Sequence, residues 1–282
     1  MKKLFQELTL IDPFMFTAVM SNPEQCRALL EVILERKILK VTIITEKTIQ
    51  YRPDYHGVRL DVLAIEDGSN RHYNVEMQVK DHRNLARRSR YYHSQMDMEM
   101  LMTSKDYSQL PDTYVIFICA YDPIGEGLYR YTFSSCCLET GEQLGDGKHT
   151  IWLNTKGTNR HGVSTLLVSF LDYVDDPATV SDDEYGFIQG IEESVKNIKQ
   201  NRRWEDAYMQ FQEMLAEERA EGKAEGFSKA ILIILQKYGD IPDSLQHTIN
   251  AETDLGTLTC WLKNASTACS LEEFCEFIKN SK

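Results

Sequence analysis

The sequence predicts an α/β fold in which a mixed sheet is flanked by helices and is followed by an all-helical C-terminal region. The order of elements supports this class, because one amphipathic helix precedes three strands, a second helix and further strands. The strand signal disappears after about residue 170. We therefore predict a first domain at 1–170, an acidic helical connector at 171–225 and a small helical module at 226–282.

The elements of the first domain have clear local signals. Asn22-Pro23 is a good N-cap and N1 pair, and leucine and isoleucine then recur at helical spacing, which predicts a helix over 23–36. A second helix is predicted over 84–102. Runs rich in β-branched and aromatic residues predict strands at 41–50, in both arms of a hairpin within 59–78, and at 114–121, 129–138 and 150–154.

The C-terminal region is helical in composition. A capping box at Ser181 to Glu184 is expected to open a long, charged helix. Gly222 and Gly226 share one helix face, which suits close helix contact, a hinge or a plain solvated linker. Three or four short helices follow, with starts marked by Pro242 and by the capping box at 270–273, and with a small core expected from Trp261, Leu262, Phe274 and Phe277.

Composition points to an ordinary globular protein. The chain has 282 residues and is 42% hydrophobic, enough to bury a sizeable core. Glu7 and Asp12 interrupt any signal-peptide core, and no apolar run approaches the ~20 residues of a membrane span. The seven cysteines show no metal-ligand spacing, so we expect reduced thiols and no zinc site. The predicted location is cytoplasmic, without a membrane partner.

The charge distribution leaves nucleic acid open as a partner. The net charge of −12 argues against polyanion binding, but residues 172–225 hold 15 acids against 6 bases, so residues 1–171 carry only −1. The stretch 80–90 carries five bases against Asp81. This run is either a solvated helix face or a contact for phosphates.

The hairpin within 59–78 carries a carboxylate in each arm. If its turn is the two-residue loop Gly68-Ser69 of type II′, opposed residues sum to 137, and Asp61 faces Glu76. A slip of one residue would place the two acids on opposite faces. The turn therefore decides whether these acids form a pair.

Opposed like charges are destabilising, so the Asp61/Glu76 pair needs compensation. A shared proton is one solution, and a divalent cation such as Mg²⁺ or Mn²⁺ is the other, because hard oxygen ligands suit these ions. The plain alternative is a polar outer face on a half-exposed strand. Gln78 lies on the same face as Glu76 by the period of two.

Arg88 and Tyr92 lie four residues apart on one stripe of the predicted helix that follows the hairpin. They are either part of a surface helix whose tyrosines pack on the sheet, or they face the carboxylates and hold a phosphate by charge-assisted hydrogen bonds.

An Asp in one strand and a Glu-x-Lys-like segment in the next, followed by a helix, resembles the PD-(D/E)XK nuclease superfamily. Here the pattern is Asp61 and then Glu76-Met77-Gln78. Four blocks in order are similar to the Rpn-type recombination-promoting nucleases, a transposase-like family: "DPFMF" (12–16), "GVRLDV" (57–62), "YNVEMQ" (73–78) and "RSRYY" (88–92). The similarity covers about 1–170 strongly and the remainder loosely.

The resemblance implies a restriction-endonuclease-like fold and hydrolysis of DNA phosphodiesters that depends on Mg²⁺ or Mn²⁺. By position, Asp61 and Glu76 would bind the metal together with the Met77 backbone carbonyl. Gln78 takes the place of the superfamily lysine, and a neutral amide lacks that charge. The Rpn-type sequences that this chain resembles share this glutamine.

Two cations are candidates to replace the missing lysine charge: Lys80, two residues beyond Gln78, and Arg88 on the following helix. Asp12 matches the N-terminal acid of the family. Its role is either that of an outer-shell ligand or that of a cap for an N-terminal turn.

The expected function is therefore that of a metal-dependent DNA endonuclease with little sequence specificity, linked to DNA recombination or to defence against foreign DNA. The alternative is a catalytically weak or inactive nuclease-fold module that binds DNA or protein partners. In both cases the helical tail is expected to assemble a homo-oligomer or to cover the basic helix and inhibit it.

Overall fold

Six strands form one mixed sheet in the computed structural model of the protein, which describes residues 3–49, 58–69, 71–101, 106–179 and 186–280. The sheet order is β1-β2-β3-β4-β6-β5, with β3, β4 and β6 parallel and the other pairs antiparallel. The strands are β1 (Val41–Ile49), β2 (Val58–Glu66), β3 (Arg71–Gln78), β4 (Thr113–Cys119), β5 (Arg130–Phe133) and β6 (Lys148–Asn154). The predicted mixed sheet is confirmed.

Helices flank the sheet and then form the rest of the chain. They are α1 (Pro13–Met20), α2 (Pro23–Leu34), α3 (Leu85–Met100), α4 (Thr165–Asp175), α5 (Phe187–Gln200), α6 (Arg202–Leu235), α7 (Asp243–Asn250), α8 (Leu255–Thr267) and α9 (Leu271–Asn280). The predicted cap is present at α2, where the Asn22 side chain accepts from Glu24 N at 2.9 Å. Among the described helices, none is both long and apolar enough to cross a membrane.

Strand β5 is shorter than the predicted strand, and α5 begins after the segment that carries the predicted capping box. The fifth strand was expected over 129–138, but β5 ends at Phe133, because the mostly exposed segment that follows folds back on itself, with Cys136 bridged to Gln143. α5 begins at Phe187, directly after Gly186, which has φ +66°. The capping box expected at Ser181 to Glu184 lies outside the described residues.

Helix α3 is held at a defined rotation over the sheet. Tyr92 and Met96 pack with Phe117 in one buried cluster. On another side of the helix, the buried His93 ring contacts hydroxyls of both neighbouring parallel strands: Nδ1 lies 2.8 Å from Thr113 Oγ1, and Nε2 lies 3.0 Å from Thr150 Oγ1. Because these contacts fix the helix on β4 and β6, the stripe that carries residues 88 and 92 is directed towards β3.

The chain divides into two compact units, Met1–Glu205 and Asp206–Lys282. The expected boundaries were at 170 and 225. The difference arises because α4 and α5 pack within the first unit: the rings of Phe170 and Phe187 are 5.6 Å apart, and Gln25 Nε2 donates to Gly190 O at 3.2 Å. Residues 171–205 of the expected acidic helical connector therefore belong to the first unit, and residues 206–225 belong to the second.

The second unit has the small helical core that was predicted. Trp261 and Phe274 are fully buried there, with Leu262 and Phe277 packed against the cluster. Gly222 and Gly226 lie inside the continuous helix α6. Apart from their chain neighbours and the backbone of the helix itself, no heavy atom of the described residues comes within 4 Å of the position that a Cβ would take on either. Neither glycine therefore allows a close contact between α6 and another element in the described part of the chain.

Candidate active site

The β2–β3 hairpin has the register that the turn predicted. Its pairs run from Val62 opposite Val75 to Glu66 opposite Arg71, and each pair sums to 137. Gly68 has the positive φ, +83°, that the first central position of a type II′ turn requires. The predicted pair Asp67–Asn70 includes a residue outside those described.

Asp61 and Glu76 meet where the regular ladder between β2 and β3 ends. Asp61 N donates to Glu76 Oε1 at 3.3 Å, and Met77 N donates to Asp61 Oδ2 at 3.4 Å. Each of the two acids thus accepts a hydrogen bond from a backbone N–H of the opposite strand. The result is two carboxyl groups in one place, one half-buried and the other only 2% exposed.

The Met77 backbone carbonyl is directed to the same place. The carbonyl of Gln78 accepts from Ala120 N, which follows β4, at 2.9 Å. Since backbone groups of successive strand residues point to opposite sides, the N–H and C=O of Met77 both point towards β2 and Asp61. Gln78 Nε2 also donates to the Met77 carbonyl oxygen at 3.2 Å.

Arg88 connects the groups of the site. It donates to Gln78 Oε1 at 2.6 Å, to Glu76 Oε2 at 3.2 Å and to the Tyr92 hydroxyl at 2.8 Å. Its guanidinium carbon also lies 5.2 Å from the centroid of the Phe117 ring. Burial disfavours the charge of Arg88, but the bond to Tyr92 and the nearby carboxylates outweigh burial and raise its pKa.

Two buried glutamates in the same hairpin have opposite pKa shifts. Glu66 is bonded by Arg36 at 2.7 Å and by Tyr73, and these bonds lower its pKa to about 2. Burial and, after it, the charge of Asp61 raise the pKa of Glu76 to about 8, against the opposing effects of Arg88 and Asn74. Glu76 is thus the acid whose charge the protein leaves undercompensated, as is common at functional sites.

The raised pKa of Glu76 predicts a pH-dependent stability in the absence of metal. Between pH 4.5 and 8 the folded protein holds a proton that the unfolded chain releases, so stability falls as pH rises, by at most about 1.4 kcal/mol per pH unit for one proton. Glu76→Gln should remove this contribution. Urea unfolding with a chelator at several pH values measures it.

Glu66→Gln is the matched control for that measurement. In the wild type, the lowered pKa of Glu66 stabilises the fold above pH 4.5, and this stabilisation is lost as pH falls towards about 2. The pH dependence that Glu66→Gln removes therefore lies below the pH range in which Glu76 contributes. If wild type and Glu76→Gln lose stability in parallel from pH 5 to 8, Glu76 does not carry the proton.

The remaining residues that the sequence singled out lie outside this network. Lys80 is exposed beyond the end of β3 and has no hydrogen bond or ion pair within the described ranges. Asp12 precedes α1, where both its carboxylate oxygens lie 2.9 Å from Lys3 Nζ and one accepts from Thr9 N at 2.8 Å. These contacts agree with the interpretation of Asp12 as a cap for an N-terminal turn.

Two residues of the site were not among the predicted ones. Asn74 donates to Glu76 Oε1 at 3.1 Å, and its period-two spacing from Glu76 was a usable signal. Phe117 lies beside Arg88 because β4 pairs in parallel with β3, with Phe117 in register with Glu76. That pairing joins distant parts of the chain, and no local pattern reports it.

The donor set fits a divalent cation with several water ligands. Asp61, Glu76 and the Met77 carbonyl offer hard oxygen atoms, and Arg88 is the cation bonded to Glu76, so an ionised pair retains an excess negative charge. Within the described ranges there is no group of three or more His, Cys, Asp or Glu side chains placed to hold a metal. The protein part of such a site would therefore be these two carboxylates and one carbonyl.

Comparison with known proteins agrees with this geometry. A family model described as "PD-(D/E)XK nuclease family transposase" matches residues 13–163, which include both carboxylates, Arg88 and the whole sheet. No curated protein and no solved structure matches the chain significantly. Because the match spans more than half of the 282 residues, the chain belongs to the PD-(D/E)XK nuclease family of transposases.

Proposed function

We propose that the protein is a Mg²⁺- or Mn²⁺-dependent DNA endonuclease with little sequence specificity, linked to DNA recombination or to defence against foreign DNA. The observation that carries the proposal is the Asp61/Glu76 pair with Arg88 bonded to its buried member, in a chain of this nuclease family. The seven cysteines are all free thiols, which fits action in the reducing cytoplasm.

Asp61, Glu76 and the Met77 carbonyl would hold the metal. A bound divalent cation supplies an activated water and stabilises the charge that develops on the scissile phosphate. Gln78 is held by its bonds to Arg88 and to the Met77 carbonyl, so its amide can orient a water molecule rather than neutralise charge.

Arg88 and Tyr92 would bind the phosphate. Arg88 supplies a positive charge next to the Gln78 amide, where the superfamily has its lysine. Burial and the charge of Glu76 raise the pKa of Tyr92 to about 12, so its hydroxyl stays protonated. Since this hydroxyl accepts from Arg88, it keeps a proton to donate to a phosphate oxygen.

An exposed basic surface leads to the site. Lys80, Arg83, Arg87 and Arg90 are all exposed, on the segment before α3 and on its first turns. Side chains of this type contact phosphates without reading bases, which supports low sequence specificity.

Incubation with supercoiled plasmid tests the proposal. Nicked and linear DNA should appear with Mg²⁺ or Mn²⁺ and should be absent with a chelator, because the carboxylates alone cannot activate water. Cleavage that persists in chelator, or no cleavage with either metal, would contradict the proposal.

An inactive nuclease-fold module is the second candidate. Two observations favour it. Gln78 is neutral, and Arg88 already donates a hydrogen bond to the Glu76 carboxyl group that would bind the metal. Calorimetric titration with Mn²⁺ separates the two functions, because an active site should bind the ion and Glu76→Gln should weaken that binding. A DNA-binding protein that takes up no Mn²⁺ would be the inactive module.

We also propose that the second unit assembles the protein into a homo-oligomer. Two observations support this proposal: the second unit has a compact core of its own, and α6 carries two exposed apolar side chains, Met209 and Ile233. Light scattering should give a mass above that of one chain for the full protein and the mass of one chain for residues 1–205. Equal association states of the two forms would place the contact elsewhere.

A further inference from the structure

A second concave surface lies beside α3, away from the carboxylates. This pocket has a volume of about 220 Å³ and lies between α3, the end of β5 and strand β6. The side chains that matter for its chemistry are Arg90, His93, Phe133, Lys148 and Trp152. We call it the α3/β6 pocket.

The register of the sheet relates the α3/β6 pocket to the candidate active site. Trp152 is in register with Phe117, which is in register with Glu76, across the parallel strands β6, β4 and β3. Two strand spacings separate the Cα atoms of Trp152 and Glu76 by about 10 Å. The helix α3, with Arg87 and Arg90 on its exposed surface, runs between the two sites. A strand of nucleic acid can therefore cross this basic surface from one site to the other.

Two cations line the α3/β6 pocket. Neither the Arg90 guanidinium nor the Lys148 ammonium forms an ion pair within 4 Å among the described residues. The backbone N of Lys148 donates to Asp146 Oδ1 at 3.2 Å, and Asp97 and Asp146 lie close enough to interact electrostatically with Lys148. Burial lowers the pKa of His93 to about 4, so this ring is neutral and held by two hydroxyls. The residues that line the pocket therefore carry two positive charges and no carboxylate.

The apolar part of the pocket is aromatic. Phe133 is 38% exposed at the end of the edge strand β5, and its ring centroid is 4.5 Å from that of Trp152. Next to it, the Ser134 hydroxyl donates to Gln143 at 2.7 Å and keeps its lone pairs as acceptors. An exposed ring face, two cations and a free acceptor suit a group that has a planar ring and a phosphate.

We infer that the α3/β6 pocket binds one unpaired nucleotide of the DNA substrate, on the strand that flanks the cleaved bond. The base stacks on Phe133, and its phosphate lies between Arg90 and Lys148. A pocket of 220 Å³ is below the usual size for a drug-like ligand and holds a single base rather than a base pair. This inference rests on the proposed function, since it names the form of DNA that the same protein engages.

The test is binding of a labelled short oligothymidylate and of an abasic strand of equal length, in chelator so that no cleavage occurs. Wild type should bind the thymidylate more tightly, because stacking of one base on an aromatic ring contributes about 1–3 kcal/mol, or at least about fivefold in affinity. Phe133→Ala should bind both strands alike, with unchanged affinity for the abasic one. Arg90→Ala and Lys148→Ala should weaken both.

Arg87→Ala is the matched control, since Arg87 is also exposed on α3 but does not line the pocket. It should lower the affinity for both strands and keep the preference for bases. The inference is overturned if Phe133→Ala still binds the thymidylate more tightly than the abasic strand, or if the wild type binds both strands equally. A wild type that binds neither strand also overturns the inference, and plasmid cleavage by the same protein decides separately whether the proposed nuclease stands.

Discussion

Asp61→Asn is expected to reduce Mg²⁺-dependent plasmid cleavage by about a hundredfold or more. The substitution keeps the shape of the side chain and an acceptor for Met77 N, but it removes one of the two carboxylates that would bind the metal. Metal-ion catalysis contributes several kcal/mol to transition-state stabilisation, and each ~1.4 kcal/mol changes the rate tenfold. Initial rates of plasmid nicking measure the loss.

Asp67→Asn is the control for this variant. Asp67 follows β2 in the same hairpin, where its carboxylate is exposed and paired with Lys40 at 3.1 Å, far along the strand from the site. It should cleave like wild type. Equal rates for Asp61→Asn and wild type would remove Asp61 from the site, and a parallel Mn²⁺ titration would show whether metal binding is lost with activity.

Arg88→Met is expected to weaken both cleavage and folding. Methionine retains the apolar length of the side chain, but the buried Glu76 loses its cation. Breaking a buried ion pair from one side costs about 3 kcal/mol or more when the remaining group is charged. The loss should be largest above pH 8, where Glu76 is ionised, and smaller at pH 6, where Glu76 is protonated. Urea unfolding in chelator at both pH values measures it.

The double variant Arg88→Met/Glu76→Gln isolates the pair. Without a carboxyl group to ionise, removal of Arg88 should cost only its packing and its bonds to Gln78 and Tyr92. The double variant should therefore be more stable above pH 8 than the sum of the two single effects predicts. Additive losses at both pH values would show that the two charges do not interact.

The sequence alone determined the hairpin and its pair of acids. A turn with glycine in its first central position and a side-chain period of two are local properties, and together they set which residues oppose each other. The helix over residues 85–100 and the small core around Trp261 were likewise predictable, because helical spacing and an apolar pattern are local properties.

Local patterns could not say how far the first unit extends or what Asp12 contacts. The acidic run after residue 170 describes solvated faces, while the apolar faces of α4 and α5 pack into the first unit. For Asp12 the sequence allowed two roles, and the contacts with Lys3 and Thr9 correspond to one of them.

The parallel pairing of β3, β4 and β6 was decided only by the tertiary structure. It joins residues 76, 117 and 152, and so places Phe117 beside Arg88 and the α3/β6 pocket two strands from Glu76. Gln78 shows the same difference between what the local sequence determines and what tertiary contacts decide. Its position in the sequence raised the question of a missing charge, and the docking of α3 brings Arg88 to 2.6 Å from its amide oxygen. Contacts between distant segments depend on how faces pack, which a local pattern does not encode.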